Sequence, residues 1–252
     1  MAPALVDTHA HLCSGDFAGD LGAVLDRAQQ AGVKAVVAVG ETLADAERNV
    51  TIAAEHPMVR PAAGLYPAVL DPAQAEALQA FIRLHRGRLA AVGEVGLDGW
   101  VVRDEAGREL QRTIFAGFIR LAIELDLPLN VHSRSAGRET VAMLLAAGAR
   151  RVQLHAFDGR AAAALPGVEA GYFFSIPPSV VRSTQKQKLV RRLPLACLLV
   201  ETDSPVLGPE PGRRNEPANL PLALAAVAQI KGIPVEQAAE AVAANTKRLY
   251  GI

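Results

Sequence analysis

Four of the chain's six histidines, with one glutamate and one aspartate, carry the residue types that metal chemistry needs. His9 and His11 lie in Asp7-Thr8-His9-Ala10-His11. Residues two apart on extended backbone project to the same side, so both imidazoles can reach one cation. Glu94, His132, His155 and Asp203 follow singly, each at or just past the end of a short apolar run. Four imidazoles and two carboxylates exceed the four protein ligands that close a structural zinc site, which implies two divalent ions sharing a ligand. Glu94 is the best bridge, because a carboxylate has two oxygens and its run lies midway between the first histidine pair and the second. Two metals about 3.5–4 Å apart can grip the attacking and leaving oxygens of a phosphate ester, so hydrolysis is the expected reaction class. The other two histidines, His56 and His85, fall at helix ends, where capping or exposure accounts for them. Cys13 reads as a small buried side chain, since the ligand set is already full.

Eight short apolar, β-branched runs must position these residues: Ala4 to Asp7, Val33 to Val39, Val59 to Ala63, Leu89 to Glu94, Leu129 to His132, Arg151 to His155, Glu169 to Phe174 and Ala196 to Glu201. Amphipathic stretches separate them, at Leu21 to Ala31, Leu43 to His56, Pro72 to Arg86, Glu105 to Leu125, Arg138 to Ala147, Thr184 to Leu193 and Ala218 to Ile230, with a short crossover at Asp158 to Leu165. In the clearest of them Leu110, Ile114, Phe118, Leu121 and Leu125 share one helical face. A final helix is expected from Val235 to Tyr250. Strand and helix alternating eight times, with no linker or change in composition, predicts an α/β fold, a single (β/α)8 TIM barrel domain over residues 1–252 with an extra C-terminal helix. An open doubly wound sheet would need a glycine-rich first turn, and Asp7 to His11 is not one. In a barrel every candidate ligand falls at the C-terminal rim, where active sites of this architecture sit.

Bulk properties narrow the function. The 252 residues carry 26 basic and 26 acidic side chains, so no global field draws in a polyanion, and a nucleic-acid contact must come from a local patch or from metal. Two distant cysteines, Cys13 and Cys197, make no disulfide framework and fit a reducing compartment. The amino terminus lacks a basic region followed by an apolar run, and no uncharged stretch nears the ~20 residues that span a bilayer. A soluble, unprocessed cytoplasmic protein is expected, with no membrane association and no obligate protein partner evident.

Six segments together resemble the TatD family of metal-dependent hydrolases, over nearly the whole chain and in the family's order: VDTHAHL, GEVGLD around Glu94, LPLNVHSR around His132, LHAFDG around His155, ETDSP around Asp203, and RNEPAN at 214–219. The runs GYFFSIPPSVVRSTQKQKLV and HSRSAGR are most similar to the third TatD-domain-containing deoxyribonuclease branch. The resemblance implies that His9, His11 and Asp203 hold one metal, that His132 and His155 hold the other, and that Glu94 bridges them. It implies Asp203 as the base that takes a proton from the attacking water. It also implies a phosphodiesterase acting on DNA, with magnesium, manganese or zinc. Four histidine ligands favour zinc or manganese over oxygen-seeking magnesium.

One segment departs from the family's pattern. Where the family usually has Gly-x-His-Pro, this chain has Gly64-Leu65-Tyr66-Pro67, and Tyr66 keeps a hydrogen-bonding ring without a positive charge at neutral pH. Trp100 is a candidate platform for a base, weighed against a packing or lid role. Arg134 and Arg214 are candidate anion contacts, with Arg214 equally able to pin its own loop, while Arg138 and Arg213 read as solvated. Arg182 to Arg192 holds five basic residues and no acid, and ordinary solvation explains it, with the Ser175 to Ser179 loop the alternative guide for a nucleic-acid strand. A small-molecule amidohydrolase on the same barrel is the competing activity, but that group places a carboxylated lysine where Glu94 stands. A catalytically idle scaffold is a further reading, weakened because all six ligand positions are filled.

Overall fold

Each of the eight apolar runs forms a strand, and each strand feeds a helix that packs against the outside of the sheet. The computed structural model describes residues 4–252, so the first three residues of the amino-terminal reading lie outside the described residues. The strands are β1 (Leu5–Ala10), β2 (Val33–Ala38), β3 (Val59–Ala63), β4 (Ala91–Gly96), β5 (Leu129–His132), β6 (Val152–Leu154), β7 (Phe173–Ile176) and β8 (Leu198–Val200). The helices are α1 (Leu21–Gln30), α2 (Leu43–Glu55), α3 (Pro72–His85), α4 (Glu105–Leu125), α5 (Gly137–Ala146), α6 (Ala161–Glu169), α7 (Thr184–Arg192), α8 (Leu220–Lys231) and α9 (Val235–Tyr250).

Neighbouring strands pair in parallel, in chain order from β1 to β8. The ring is completed just past β8, where Ala10 and Ser204 form a parallel bridge and the Asp203 N–H donates to the His9 carbonyl at 2.8 Å. The barrel is therefore the one the sequence predicts.

Local chemistry explains the element ends. Asp104 caps α4 by accepting from the Gly107 N–H, and Asp126 ends it in the left-handed region, at φ 51°. The buried residues of α4 are Gly107, Gln111, Phe115, Phe118, Ile119, Leu121 and Ala122, so Phe118 and Leu121 of the face read in the sequence are fully buried while Leu110, Ile114 and Leu125 lie at its partly exposed margin. The seventh strand differs from its expected span: Val168 and Glu169 complete α6, and β7 begins at Phe173 after a left-handed Gly171 at φ 86°. Pro166 inside α6 makes the crossover look finished at Leu165, yet the helix continues past it.

Two apolar layers result. The larger lies between the strands and the helices and includes Phe115, Phe118, Phe157 and Phe174. The smaller lies inside the ring, where Val37, Val39, Ala62, Ala91, Phe173 and Leu199 meet Leu249 and Tyr250 from the end of α9. The extra C-terminal helix thus plugs the barrel. Among the described residues no single helix is long and apolar enough to cross a membrane.

Candidate metal centre

The six candidate ligands converge at the C-terminal rim because the backbone holds them there. His9 is within β1 and His11 just past it, and the Asp203 N–H and the Ser204 carbonyl stitch the end of β8 to both, with His11 N donating to Ser204 O at 2.8 Å. Asp203 sits in the left-handed region, at φ 55°, a conformation that aspartate tolerates better than most residues. The register of β4 against β5 shifts between Val92 and Val95, and Glu94 on this stretch meets the histidines. Gly96 (φ 146°) is required here, since a Cβ would lie 2.0 Å from the His132 carbonyl oxygen.

The donor atoms fall into two groups divided by Glu94. On one side His9 Nε2 and His11 Nε2 lie 3.3 Å apart, each 3.4 Å from Asp203 Oδ1, and His11 Nε2 is 3.5 Å from Glu94 Oε2. On the other, Glu94 Oε1 is 2.7 Å from His132 Nδ1 and 2.9 Å from His155 Nε2, and those nitrogens are 3.1 Å apart. A tetrahedral ion about 2.0–2.1 Å from each donor sets its donors about 3.3–3.4 Å from one another. The first group already has that spacing, and the second is slightly contracted. Imidazole nitrogens facing one another this closely, with carboxylates between them, are suited to a shared cation, so the residues fit the two-metal reading.

Second partners fix the rings. The Nδ1 of His9 meets Asn130 Oδ1 at 2.8 Å, and Asn130 is oriented by donating to the Thr8 carbonyl (2.9 Å) and the Tyr250 hydroxyl (3.1 Å), which leaves His9 Nε2 as the lone-pair side. His132 Nε2 meets Asp98 Oδ2 at 2.9 Å, which turns Nδ1 toward Glu94. Tyr250 also donates to Gln153 Oε1 (2.6 Å), Gln153 donates to Ser175 Oγ (2.8 Å), and Ser175 donates to Glu201 Oε2 (2.5 Å). Glu201 closes the chain beside His155 Nδ1, 3.9 Å away. A buried polar chain inside the barrel therefore links the supports of the two groups.

The electrostatics are those of a crowded, dry site. Burial, helped by the neighbouring His155, pushes His9 down to about 3, against the pull of Glu94 and Asp203. Burial also opposes charge on His11 and His132, but carboxylates override it. Asp203, Glu94 and Glu41 raise His11 to about 9, and Asp98 with Glu94 raises His132 to about 10. Glu94 and Asp203 are held below the usual carboxylate range by these histidines, although burial works the other way. Asp98 falls to about 2 for a similar reason, its His132 bond and two backbone donors outweighing burial. Glu201, with less compensation for its burial, rises to about 7. Asp7, beneath the site, rises to about 8 because burial outweighs its bonds to Thr202 and His9 N.

A cavity of about 400 Å³ opens over the donors, lined also by Tyr66, Arg134, Asp158, Lys186 and Val206. Tyr66 is half-buried and donates to Asp98 Oδ2 at 3.2 Å. Trp100 is 54% exposed, with the guanidinium carbons of Arg103 and Arg134 5.4 and 5.3 Å from its ring centre. Arg214 does not line the cavity: it pairs with Asp20 at 2.6 Å and donates to the Asp16 carbonyl, so its side chain fastens the loop after β8 to α1. The Ser175 to Ser179 segment is buried and structural, with Ser175 committed to Glu201. Cys13 is buried as expected, with burial pushing its thiol up to about 12. The residues missed in the sequence are Asp98, Asn130, Glu201, Tyr250, Lys186 and Glu41, whose Oε1 lies 3.9 Å from His11 Nδ1.

Comparison with known proteins finds relatives along nearly the whole chain. The family model described as TatD related DNase matches residues 6–251. The chain is 46% identical to the mouse (Mus musculus) protein named "Putative deoxyribonuclease TATDN3", over 99% of this chain and 89% of the mouse protein. It is 45% identical to the human (Homo sapiens) protein named "Deoxyribonuclease TATDN3", over 98% of this chain and 94% of the human one. Among solved structures, the Escherichia coli TatD homologue YjjV superposes with a TM-score of 0.91 at 28% identity, covering 98% of both chains.

Proposed function

The chain belongs to the family of TatD related DNases, and from that membership we propose that residues 1–252 act as one hydrolase domain that cleaves phosphodiester bonds of DNA with two divalent ions. His9, His11 and Asp203 would hold the first ion, His132 and His155 the second, and Glu94 would be shared between them. The observation that carries this reading is the division of Glu94, with Oε1 facing His132 and His155 and Oε2 facing His11. When bound, the ions would supply Lewis acidity and lower the pKa of a bound water. Zinc and manganese suit the four imidazoles better than magnesium does.

The chain's own residues do the rest. Asp203 Oδ1 faces His9 and His11, and its second oxygen is the acceptor for the proton of the attacking water. Held below the ordinary carboxylate range, it is ionised and ready to accept at neutral pH. Asn130 and Asp98 keep the lone pairs of His9 and His132 turned into the site. At the mouth, Arg134 meets a phosphate, Tyr66 offers its phenol, and Trp100 presents an aromatic ring to a base. Arg214 acts on the loop, not on substrate. The buried free thiols of Cys13 and Cys197 support a reducing compartment, the cytoplasm.

The test is a parallel assay of single-stranded DNA, abasic duplex, RNA and small phosphodiesters with zinc, manganese and magnesium. Cleavage of a DNA substrate with at least one metal is expected. If no phosphodiester is cut with any of them, the nuclease reading fails, and a small-molecule amide or ester becomes the substrate class to pursue.

A further inference from the structure

Lys186 is the one member of the basic run Arg182 to Arg192 that turns inward. It shares a helical face with Leu189, Val190 and Leu193, all buried, and is itself only 7% exposed. Its ammonium donates to the Ala156 carbonyl at 2.9 Å. No carboxylate oxygen lies within salt-bridge distance of it among the described residues, although Glu201, Asp203 and Asp158 surround it at longer range. An ammonium has three donors, and burying one with a single acceptor is costly unless a ligand completes the set. A second observation concerns the same cavity. Ser133, 2% exposed and on the cavity wall, has a buried hydroxyl with no hydrogen-bond partner. A buried ammonium with a single acceptor and a buried hydroxyl with none, both lining the cavity that holds the six candidate ligands, have the composition of an anion seat.

We propose that Lys186 and Ser133 form a metal-independent subsite that binds a phosphoryl oxygen of the substrate, Lys186 supplying charge and Ser133 a hydroxyl donor. The subsite rests on the phosphodiesterase reading and deepens it. It gives the site a fixed cation that exposed Arg134 does not provide, because a buried ammonium is screened little by salt.

The probe is inorganic phosphate, titrated calorimetrically into the metal-loaded protein. Lys186→Met should weaken phosphate binding about 10- to 100-fold, the worth of a charge-assisted hydrogen bond, with metal content per chain unchanged. Lys186→Arg should retain most of the affinity. Ser133→Ala removes a hydroxyl with no partner in the fold, so it should leave the melting temperature unmoved while weakening phosphate about 3- to 10-fold. It serves equally well if the Met variant does not fold. Unchanged phosphate affinity in either variant overturns the subsite and leaves the phosphodiesterase reading standing. Loss of metal in Lys186→Met overturns it too, by showing that the lysine serves only to hold Ala156 and the adjacent His155. If the parent protein binds no phosphate, the subsite falls, while the phosphodiesterase reading is decided separately by the cleavage assay.

Discussion

Asp98→Asn changes one atom of a side chain outside the ligand set, yet should selectively weaken the second ion. Asp98 Oδ1 accepts from the backbone N–H groups of Trp100 and Val101, both at 2.8 Å, while Oδ2 accepts from His132 Nε2 at 2.9 Å. In the variant the two backbone donors hold the amide oxygen in place, so the new NH2 faces His132 Nε2. A donor there favours the tautomer with its proton on Nδ1, the nitrogen that points at Glu94. The second ion then loses a lone pair. Removing this kind of support costs about 10- to 100-fold in metal affinity, or about 1.4–2.7 kcal/mol. An opposite effect must be weighed, because losing the Asp98 charge lowers His132 from about 10 and so reduces proton competition for its ring. That relief is largest at low pH, so the deficit should widen as pH rises from 7 toward 10. The assay is competitive metal titration of chelator-stripped protein at several pH values, resolving the two ions. Equal weakening of both ions, or a deficit that shrinks with pH, would refute the tautomer argument.

Three further outcomes are expected. Asp7 is buried with its pKa near 8, against 3.8 for the free residue, so the folded state keeps a proton that the unfolded chain has lost. Metal-free protein should therefore lose stability between about pH 4 and pH 8, at up to about 1.4 kcal/mol per pH unit, and level off above; in Asp7→Asn urea melts should show this slope flattened. Tyr250→Phe breaks the buried chain between Asn130 and Gln153 and leaves Gln153 Oε1 without its donor, so chemical denaturation should show a loss of about 1–3 kcal/mol. Arg214→Ala frees the loop after β8 from Asp20 without touching the cavity, so phosphate affinity should hold within about 2-fold; a tenfold loss would return Arg214 to the substrate contacts.

The convergence of the candidate ligands is legible because metal chemistry restricts residue type and strand ends restrict place. His9, His11, Glu94, His132, His155 and Asp203 all follow from those two constraints. Their supports did not follow, for different reasons. Asp98 stands four residues past Glu94 in GEVGLD, and its being an acid at the same rim was a usable signal. Lys186 is legible too: its spacing to Leu189, Val190 and Leu193 puts it on the apolar face, although the basic run around it masks that placement. Asn130, Glu201 and Tyr250 meet only across the barrel, and nothing local distinguishes a polar side chain that plugs a barrel from one that faces water. The motif around Arg214 places it in the loop after β8 without fixing the direction of its side chain, which turns to Asp20. The late start of β7 reflects Pro166, which the helix accommodates.

The proposed two-ion centre, with Glu94 shared between the ions, is most directly tested by counting metal in protein purified without chelator, beside Glu94→Ala. Close to two divalent ions per chain are expected in the parent, and fewer in the variant with the barrel's circular dichroism unchanged. A parent value near zero that added zinc or manganese does not raise, or two ions retained in Glu94→Ala, would contradict the bridge.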